Sequence, residues 1–294
     1  MKTAVRLLTL AIGALFLSSC IQHSTVVRVR KDGSGEIFAR YYFSPTLMGM
    51  MGGLAAGLGD PNAAPAEVPD PSKPNLEDLK SEAAAYGEGV RYVRHETGKN
   101  KDQWDGYTVV YEFDDINKVE LNSDAAMQKF ENMGGDAAAE AVAEAEAAQE
   151  EAGAESGKVS FEMADGVLKI KTNMGSAGMG DFQDQGGDQL PPGTKPSQMM
   201  AGMAGMFQGM RMGYYIRIDG GIAETNATHV ADANLITMSD IDFVKMITDP
   251  DFAAFVDEAA ENPDSVTEES TKAVMEKIEG ARVEMQEEVT VKFN

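Results

Sequence analysis

The residues that could carry out acid–base or nucleophilic chemistry are scattered along this sequence. Its three histidines, His23, His95 and His229, are not spaced from one another as metal ligands or catalytic triads are. No Gly-x-Ser-x-Gly elbow, Walker-type loop or dinucleotide-binding glycine pattern occurs. We therefore predict no catalytic residues, no cofactor and no enzymatic activity. The alternative is an enzyme with an unrecognised carboxylate-based site, because the chain contains 48 Asp and Glu residues.

One acidic loop invites comparison with calcium sites. Asn100, Asp102, Asp105 and Gly106 resemble the start of an EF-hand loop, but the third ligand and the glycine are displaced, and no Glu stands at the twelfth position. The other acidic pairs, Asp114-Asp115 and Asp240-x-Asp242, are expected to end strands or cap helices. We therefore predict no metal site.

Methionine is concentrated in two uncharged segments rich in Gly and Ala, residues 46–59 and 199–210. Met200, Met203 and Met206 stand three apart, and thioethers bind Cu(I), but this spacing also places them along one side of a helix, as packing requires. We predict that both segments leave one sheet and present an adaptable apolar surface to a lipid, an apolar ligand or a partner protein. The alternative is that they cover the sheet and complete the core. The residues assigned to this surface are Met48, Met50, Met51, Met203 and Met206.

The composition and net charge of the chain exclude some classes of protein. The chain has 294 residues, with 25 Lys and Arg against 48 Asp and Glu, a formal net charge of -23. Attraction to nucleic acid requires a clustered basic surface, so this acidity excludes a nucleic-acid partner. An apolar content of 43% is ordinary for a globular protein. The single cysteine excludes a disulfide framework.

The N-terminus has the features of a secretory signal. Lys2 and Arg6 precede the uncharged apolar run Leu7–Leu17, which is too short to span a bilayer. The next residues, Leu17-Ser18-Ser19-Cys20, resemble the bacterial lipobox. That resemblance implies cleavage of residues 1–19 and attachment of acyl chains such as palmitate to Cys20. The alternative is a plain secretory signal with a chance cysteine.

The lipobox resemblance also implies a location. Bacterial lipoproteins of this kind are held in the cell envelope by their N-terminal lipid, and an aspartate after the cysteine favours inner-membrane retention. Ile21 occupies that position here, so we predict an anchor in the outer membrane with the protein facing the periplasm. The enzyme alternative would accordingly be a periplasmic enzyme.

Alternating apolar residues and turn signals define the predicted elements. Two hairpins are expected, one turning at Asp32–Gly35 and one at Ala164–Gly166, and residues 89–97 and 107–113 form a further strand pair. Helices are predicted at 76–86, at 250–261 and at 268–279, and a strand ends the chain with Val289, Val291 and Phe293 on one face. Strands that arrive mostly as hairpins indicate an α+β fold around a mainly antiparallel sheet.

The predicted organisation is a signal peptide, residues 1–19, and one mature α+β domain, residues 20–294. Segments 59–75, 134–157 and 173–197 are expected to be flexible insertions, rich in Gly and Pro or in Ala and Glu. The order of hairpin, helix, strand pair and a later Gly-x-Ile-x-x-x-Asn segment, Gly220 to Asn226, is similar to the soluble domain of mycobacterial LppM-type lipoproteins. Together these features predict a non-catalytic cell-envelope lipoprotein that binds a protein partner or an apolar or lipid ligand.

Overall fold

A computed structural model describes residues 21–46, 48–49, 70–122, 158–172, 195–205, 207–262 and 265–294. The fold is α+β with mostly antiparallel strands, as the sequence predicts. Segment 134–157 and nearly all of segment 173–197 lie outside the described residues, as do Cys20, Met50, Met51 and Met206.

The first hairpin begins directly at residue 21. Strands β1 (Ile21–Val29) and β2 (Gly35–Phe43) pair antiparallel, and in both strands every second residue is buried. This period of two leaves one face of the hairpin for the core. At the turn, Gly33 takes a φ of 84°, and the Asp32 carboxylate accepts hydrogen bonds from the Ser34 amide and hydroxyl.

The helix predicted at 76–86 consists of two parts. Helix α1 (Leu76–Glu82) begins where the Asn75 side chain accepts a hydrogen bond from the Glu77 amide, and its last turn tightens into a 3-10 helix (Ala83–Tyr86). Strands β3 (Arg91–Lys99) and β4 (Asp105–Phe113) follow, and β4 pairs with β2. A short 3-10 helix, Ile116–Lys118, leads out of this sheet.

The first sheet is completed by strands from much later in the chain. Strand β8 (Arg211–Ile218) lies parallel to β1, and β11 (Leu235–Asp242) pairs with β8. Strands β10 (Val230–Ala231) and β12 (Ala281–Val283) both pair with β11. The eight strands run in the order β10-β11-β8-β1-β2-β4-β3, with β12 beside β11.

A second, five-stranded sheet consists of β5 (Glu120–Asn122), β6 (Lys158–Ala164), β7 (Val167–Thr172), β9 (Ile222–Thr225) and β13 (Glu288–Phe293). These strands run in the order β5-β6-β7-β13-β9, and the sheet is antiparallel throughout. Its β6–β7 hairpin turns at Asp165 and Gly166, which both have positive φ, as a tight hairpin turn requires.

One hydrophobic core joins the two sheets and α1. Val27 and Ile37 from the first sheet, Leu168 and Val291 from the second, and Leu79 from α1 are fully buried in the same cluster. Ile116 and Met163 lie close to Gly33, so the second sheet packs near the β1–β2 turn. The buried Val289, Val291 and Phe293 share one face of β13, as predicted.

Four further helices pack in a separate small cluster around Met246, Phe252 and Ile278. Asp249 caps the helix that starts with Pro250, as the sequence predicts. The predicted helix 268–279 ends earlier, at Met275, and the helix at Phe243–Thr248 was not predicted. These helices are α2 (Pro196–Met203), α3 (Phe243–Thr248), α4 (Pro250–Glu261) and α5 (Glu268–Met275).

A buried carboxylate holds the chain where it passes from the first sheet to the second. Glu284, between β12 and β13, is fully buried and accepts hydrogen bonds from the Thr228 amide and hydroxyl at 2.6 and 3.0 Å. Nearby, the Asn226 side chain bonds Gln286 and Thr290. The Asn of the Gly-x-Ile-x-x-x-Asn segment therefore ties the β9–β10 connection to β13.

Candidate ligand-binding face

The first sheet has two contrasting faces. Its inner face is covered by α1 and the second sheet, whereas the side chains that alternate with the buried ones in β1 and β2 remain half-buried. We call this second side the outer face. The strand registers show which side chains lie next to one another on it, because directly paired residues point to the same side of a sheet.

All eight arginines that follow Cys20 lie on the outer face. Seven stand at outward positions of strands, and Arg30 continues the β1 alternation by one residue. Seven carboxylates share the face, so its local charge is about +1 although the chain carries -23. The arginines are Arg28, Arg30, Arg40, Arg91, Arg94, Arg211, Arg217 and Arg282, and the carboxylates are Glu36, Glu96, Glu112, Asp114, Asp219, Asp240 and Asp242.

Several of these arginines are held by carboxylates. Arg28 donates to Asp219 at 2.7 Å and to Glu36 at 3.1 Å, and the hydrogen bond to Asp219 is the main cause of its raised pKa. Arg91 bonds both Glu112 and Asp114. Each of these guanidinium groups thus has its charge balanced within the protein.

Three arginines have no such partner. The side chains of Arg40, Arg217 and Arg282 make no hydrogen bond or ion pair to any residue in the described part of the chain. Arg217 and Arg282 are exposed, and Arg40 is half-buried. A guanidinium presents five donors in a fixed plane that matches carboxylate and phosphate. These three side chains can therefore accept an anionic ligand without breaking an internal pair.

An apolar row crosses the outer face between two of the unpaired arginines. Tyr215, Val26, Phe38 and Val110 lie side by side on β8, β1, β2 and β4. Val110 is 3% exposed and the other three are half-buried. Burial and the nearby Asp240 raise the pKa of Tyr215 to about 12, so its hydroxyl stays protonated at neutral pH.

The unpaired arginines stand on opposite sides of this row. Arg40 pairs in register with Ser24, two residues before Val26, and Arg217 pairs with Arg28, two residues after it. From ordinary strand spacings the two Cα atoms are about 16 Å apart. The outer face thus combines an apolar strip with a free cation on each side.

The inner face holds a cluster of aromatic hydroxyls. Tyr41 donates to Glu82 at 2.9 Å, and its ring lies 4.7 Å from His23 and 5.1 Å from Tyr107. Burial, reinforced by the Glu82 carboxylate, raises the pKa of Tyr107 far above its usual range. A phenol in this state cannot act as a base at neutral pH, so the cluster contributes packing and hydrogen bonds.

Among the described carboxyl groups, each one whose pKa is clearly shifted has a pKa below its ordinary value. Arg91 lowers the pKa of Asp114, and hydrogen bonds from Ser197 lower the pKa of Asp257 although burial opposes the shift. A general acid would require the opposite displacement. The carboxyls with lowered pKa values are Asp32, Asp70, Glu88, Asp114 and Asp257.

The residues considered for metals have local structural contacts. Asn100 accepts hydrogen bonds from the Asp102 and Trp104 amides, and Asp105 pairs with Lys99 at 2.8 Å. Asp115 and Asp242 cap helices, as predicted. Across the described ranges, no group of three His, Cys, Asp or Glu side chains could hold a metal ion.

The three histidines lie on different elements. His23 is buried on β1, with its Nε2 atom 3.2 Å from the Thr25 hydroxyl. His95 on β3 pairs through Nδ1 with the Tyr92 hydroxyl at 2.7 Å, and His229 lies just before β10.

Of the predicted methionine surface, the structure places two residues. Met48 is half-buried against the main core, and Met203 ends α2. Nearby, Met200 and Met210 are buried, whereas Met199 is 38% exposed. Both methionine-rich segments adjoin the first sheet, one after β2 and the other before β8.

No protein-family model matches the sequence, and a comparison with curated proteins finds no match. Among solved structures, the NMR structure of the folded domain of Mycobacterium tuberculosis LppM matches with 13% identity, covering 75% of this chain and 81% of that chain, at a TM-score of 0.25. A TM-score this low does not define a shared fold, so the assignment of the site rests on the geometry above. None of the helices in the described ranges is long and apolar enough to span a bilayer.

The outer face was not predicted from the sequence. Arginines at alternate positions, such as Arg28 and Arg30, are ordinary for a strand with one solvent-facing side. Only the pairing of β1 with the distant β8 brings Arg217 beside Arg28. The available signal was that Arg28, Arg30 and Arg40 fall in the predicted first hairpin and that Arg91 and Arg94 fall in the predicted strand 89–97.

Proposed function

We propose that this protein is a non-catalytic lipoprotein of the cell envelope, anchored by acyl chains on Cys20 in the outer membrane and facing the periplasm, which binds an anionic lipid-like ligand on the outer face. The observation that carries the ligand proposal is the placement of the unpaired Arg40 and Arg217 on either side of the apolar row. The lipobox-like residues Leu17 to Cys20 support the anchor.

The physical argument is one of complementarity. Hydrogen bonds between a guanidinium and an anion contribute about 1.5–3 kcal/mol each, and apolar surface adds about 25 cal/mol per Å² removed from water. A ligand with an acidic group and a hydrocarbon portion gains both the hydrogen bonds to arginine and the burial of apolar surface. The strongly acidic remainder of the chain repels such a ligand elsewhere, which directs it to this face.

The test uses detergent-solubilised, lipidated protein and two monomeric probes, dihexanoylphosphatidylglycerol and dihexanoylphosphatidylcholine. Calorimetric titration should show tighter binding of the anionic probe. The double variant R40E/R217E should weaken that binding by at least about tenfold, since it removes two charge-assisted contacts. Lipid and protein mass spectrometry of material co-purified from solubilised envelope would identify the natural ligand.

The matched control reverses two charges elsewhere. Lys272 and Lys277 lie on and just after α5, outside the first sheet, and both are exposed. The variant K272E/K277E changes the net charge equally and should bind the anionic probe like the unaltered protein. If both double variants lost the same affinity for the anionic probe, the overall charge of the protein would explain the loss, and the assignment of the site would be contradicted. A co-purified protein lost only from R40E/R217E would assign the face to a protein partner instead.

A further inference from the structure

The position of the anchor relative to the fold restricts how the protein can stand on a membrane. Strand β1 begins at Ile21, the residue bonded directly to Cys20. Ile21 is 4% exposed and pairs with the buried Phe43 of β2. Adjacent Cα atoms are about 3.8 Å apart, so the acylated residue has no linker between it and the sheet.

Both uncharged, methionine-rich segments are connected to the end of the first sheet at which β1 begins. We call one end of the first sheet the anchor end. At this end β1, β4 and β8 begin, and β2 and β3 end. The chain leaves β2 there and returns there to β8, and neither the sequence of residues 44–58 after β2 nor that of residues 196–210 before β8 contains a charged residue. Each methionine-rich segment is therefore connected to the first sheet at the anchor end.

The only tryptophan of the chain also lies at this end. Trp104 is half-buried in the β3–β4 connection, and a Cβ atom at Gly209 would come within 2.7 Å of its ring. The Asn100 amide group, which closes the same connection, donates to Gln22 at 2.9 Å. Trp104 thus lies between the start of β1 and the segment that leads into β8.

We infer that the anchor end rests on the bilayer surface, with Trp104, Met48 and Met199 in the headgroup region and the strands of the first sheet rising away from the membrane. Tryptophan is enriched at this interface because its ring is apolar while its N–H remains hydrated. Neither of the two segments carries a charge, so neither is itself repelled by anionic lipid. The second sheet, packed near the β1–β2 turn, then lies farthest from the bilayer. This inference depends on the proposed anchor at Cys20.

Trp104 makes the orientation measurable without a label. Full-length lipidated protein is reconstituted into vesicles of phosphatidylethanolamine and phosphatidylglycerol, in which only the phosphatidylethanolamine is, or is not, brominated close to the headgroup. An anionic lipid bound on the outer face then causes no quenching of its own. We expect the emission of Trp104 to fall at least about twofold with brominated lipid and to lie at shorter wavelength than in detergent-free buffer.

A second variant moves the reporter to the middle of the outer face. W104F/F38W carries its single tryptophan at position 38, on β2, and its emission should be insensitive to brominated lipid. The thermal transitions of both proteins are compared first, so that a misfolded variant is recognised. A third variant, W104F, supplies the background.

The outcomes separate the two proposals. Quenching at position 104 and not at position 38 supports the end-on arrangement. Quenching at position 38, with or without quenching at 104, would show that the protein lies on its outer face, and quenching at neither would show that it stands clear of the bilayer; each overturns the inference. An unmodified Cys20 in intact-mass spectra would instead refute the anchor of the proposed function.

Discussion

Arg211 on β8 and Asp240 on β11 lie diagonally across the strand pair, and the Nε and Nη2 atoms of the arginine each donate to one carboxylate oxygen at 2.7 Å. This planar two-bond geometry holds the guanidinium in one orientation and raises its pKa. Arg217 stands six residues further along the same strand with no described partner. One strand therefore carries both a structural arginine and one that is free to bind.

The anchor is tested by replacing its nucleophile. Cys20→Ala removes the sulfur that we propose carries the lipid, and we expect the protein to leave the membrane fraction. Two or more acyl chains are needed for stable attachment, because each buried CH₂ contributes only about 0.8 kcal/mol. Fractionation followed by immunoblotting measures the change. Membrane retention of the variant, with uncleaved signal peptide ruled out by its mass, would refute the anchor.

Deletion of the proposed insertions should leave folding intact. Residues 136–152 and residues 173–196 contain few large apolar side chains, so they can add little to a core. We expect either deletion to shift the thermal transition only slightly. Differential scanning calorimetry measures it, and loss of a cooperative transition would mean that part of the core had been removed.

The methionine-rich segments are probed by replacing Met50, Met203 and Met206 together with Gln. If they face the bilayer, the free energy of unfolding should stay nearly unchanged while quenching of Trp104 by brominated lipid weakens. A loss of several kcal/mol would assign them to the core instead. Tight Cu(I) binding that disappears in the triple variant would support a metal role.

The buried Met200 provides the matched control for that experiment. It is 8% exposed and belongs to the cluster around Phe252. Met200→Gln places an amide in this cluster without a partner, and we expect a loss of about 1–3 kcal/mol in chemical denaturation. Equal stability of the control and the unaltered protein would show that the cluster contributes little.

Alanine substitution at two glycines that pair on neighbouring strands should affect the free energy of unfolding differently. Gly106 on β4 lies beside Gly98 on β3. A Cβ atom at Gly106 would collide with the carbonyl oxygen of Tyr41 and come within 2.6 Å of the Tyr42 ring, whereas one at Gly98 meets nothing within 4 Å. Gly106→Ala should lower the free energy of unfolding by several kcal/mol and Gly98→Ala should leave it nearly unchanged or raise it. Urea denaturation of the two variants tests the difference, and equal effects would contradict the register.

The local elements followed from sequence because their causes are local. Apolar alternation and the Asp32–Gly35 turn predict the first hairpin, and Asn75 and Asp249 mark two helix starts. Helix α3 was not predicted because it follows β11 without a break, its cap Asp242 being the last residue of that strand. The limits of α5 were overestimated, since its apolar positions continue to the buried Ile278 after the helix has ended.

The candidate site followed much less from sequence, because it depends on contacts between distant parts of the chain. Arg40 and Arg217 are 177 positions apart and share a face only through the pairing of β2, β1 and β8. The methionine pattern was visible, but whether a thioether is buried, as in Met200, or exposed, as in Met199, depends on packing that periodicity does not specify. Composition located the unusual segments without showing which surface they adjoin.

The parallel pairing of β1 with β8 also sets the order in which the protein can fold. The hairpin of β1 and β2 is local and can form as soon as residue 43 is available, but the other edge of β1 remains unpaired until Arg211–Ile218 arrives. Closing so long a loop costs entropy before any contact stabilises it, which makes folding slow. Until then the chain exposes one edge of its central strand, and if it is exported as proposed, this is the period in which it is most open to aggregation and to capture by a chaperone.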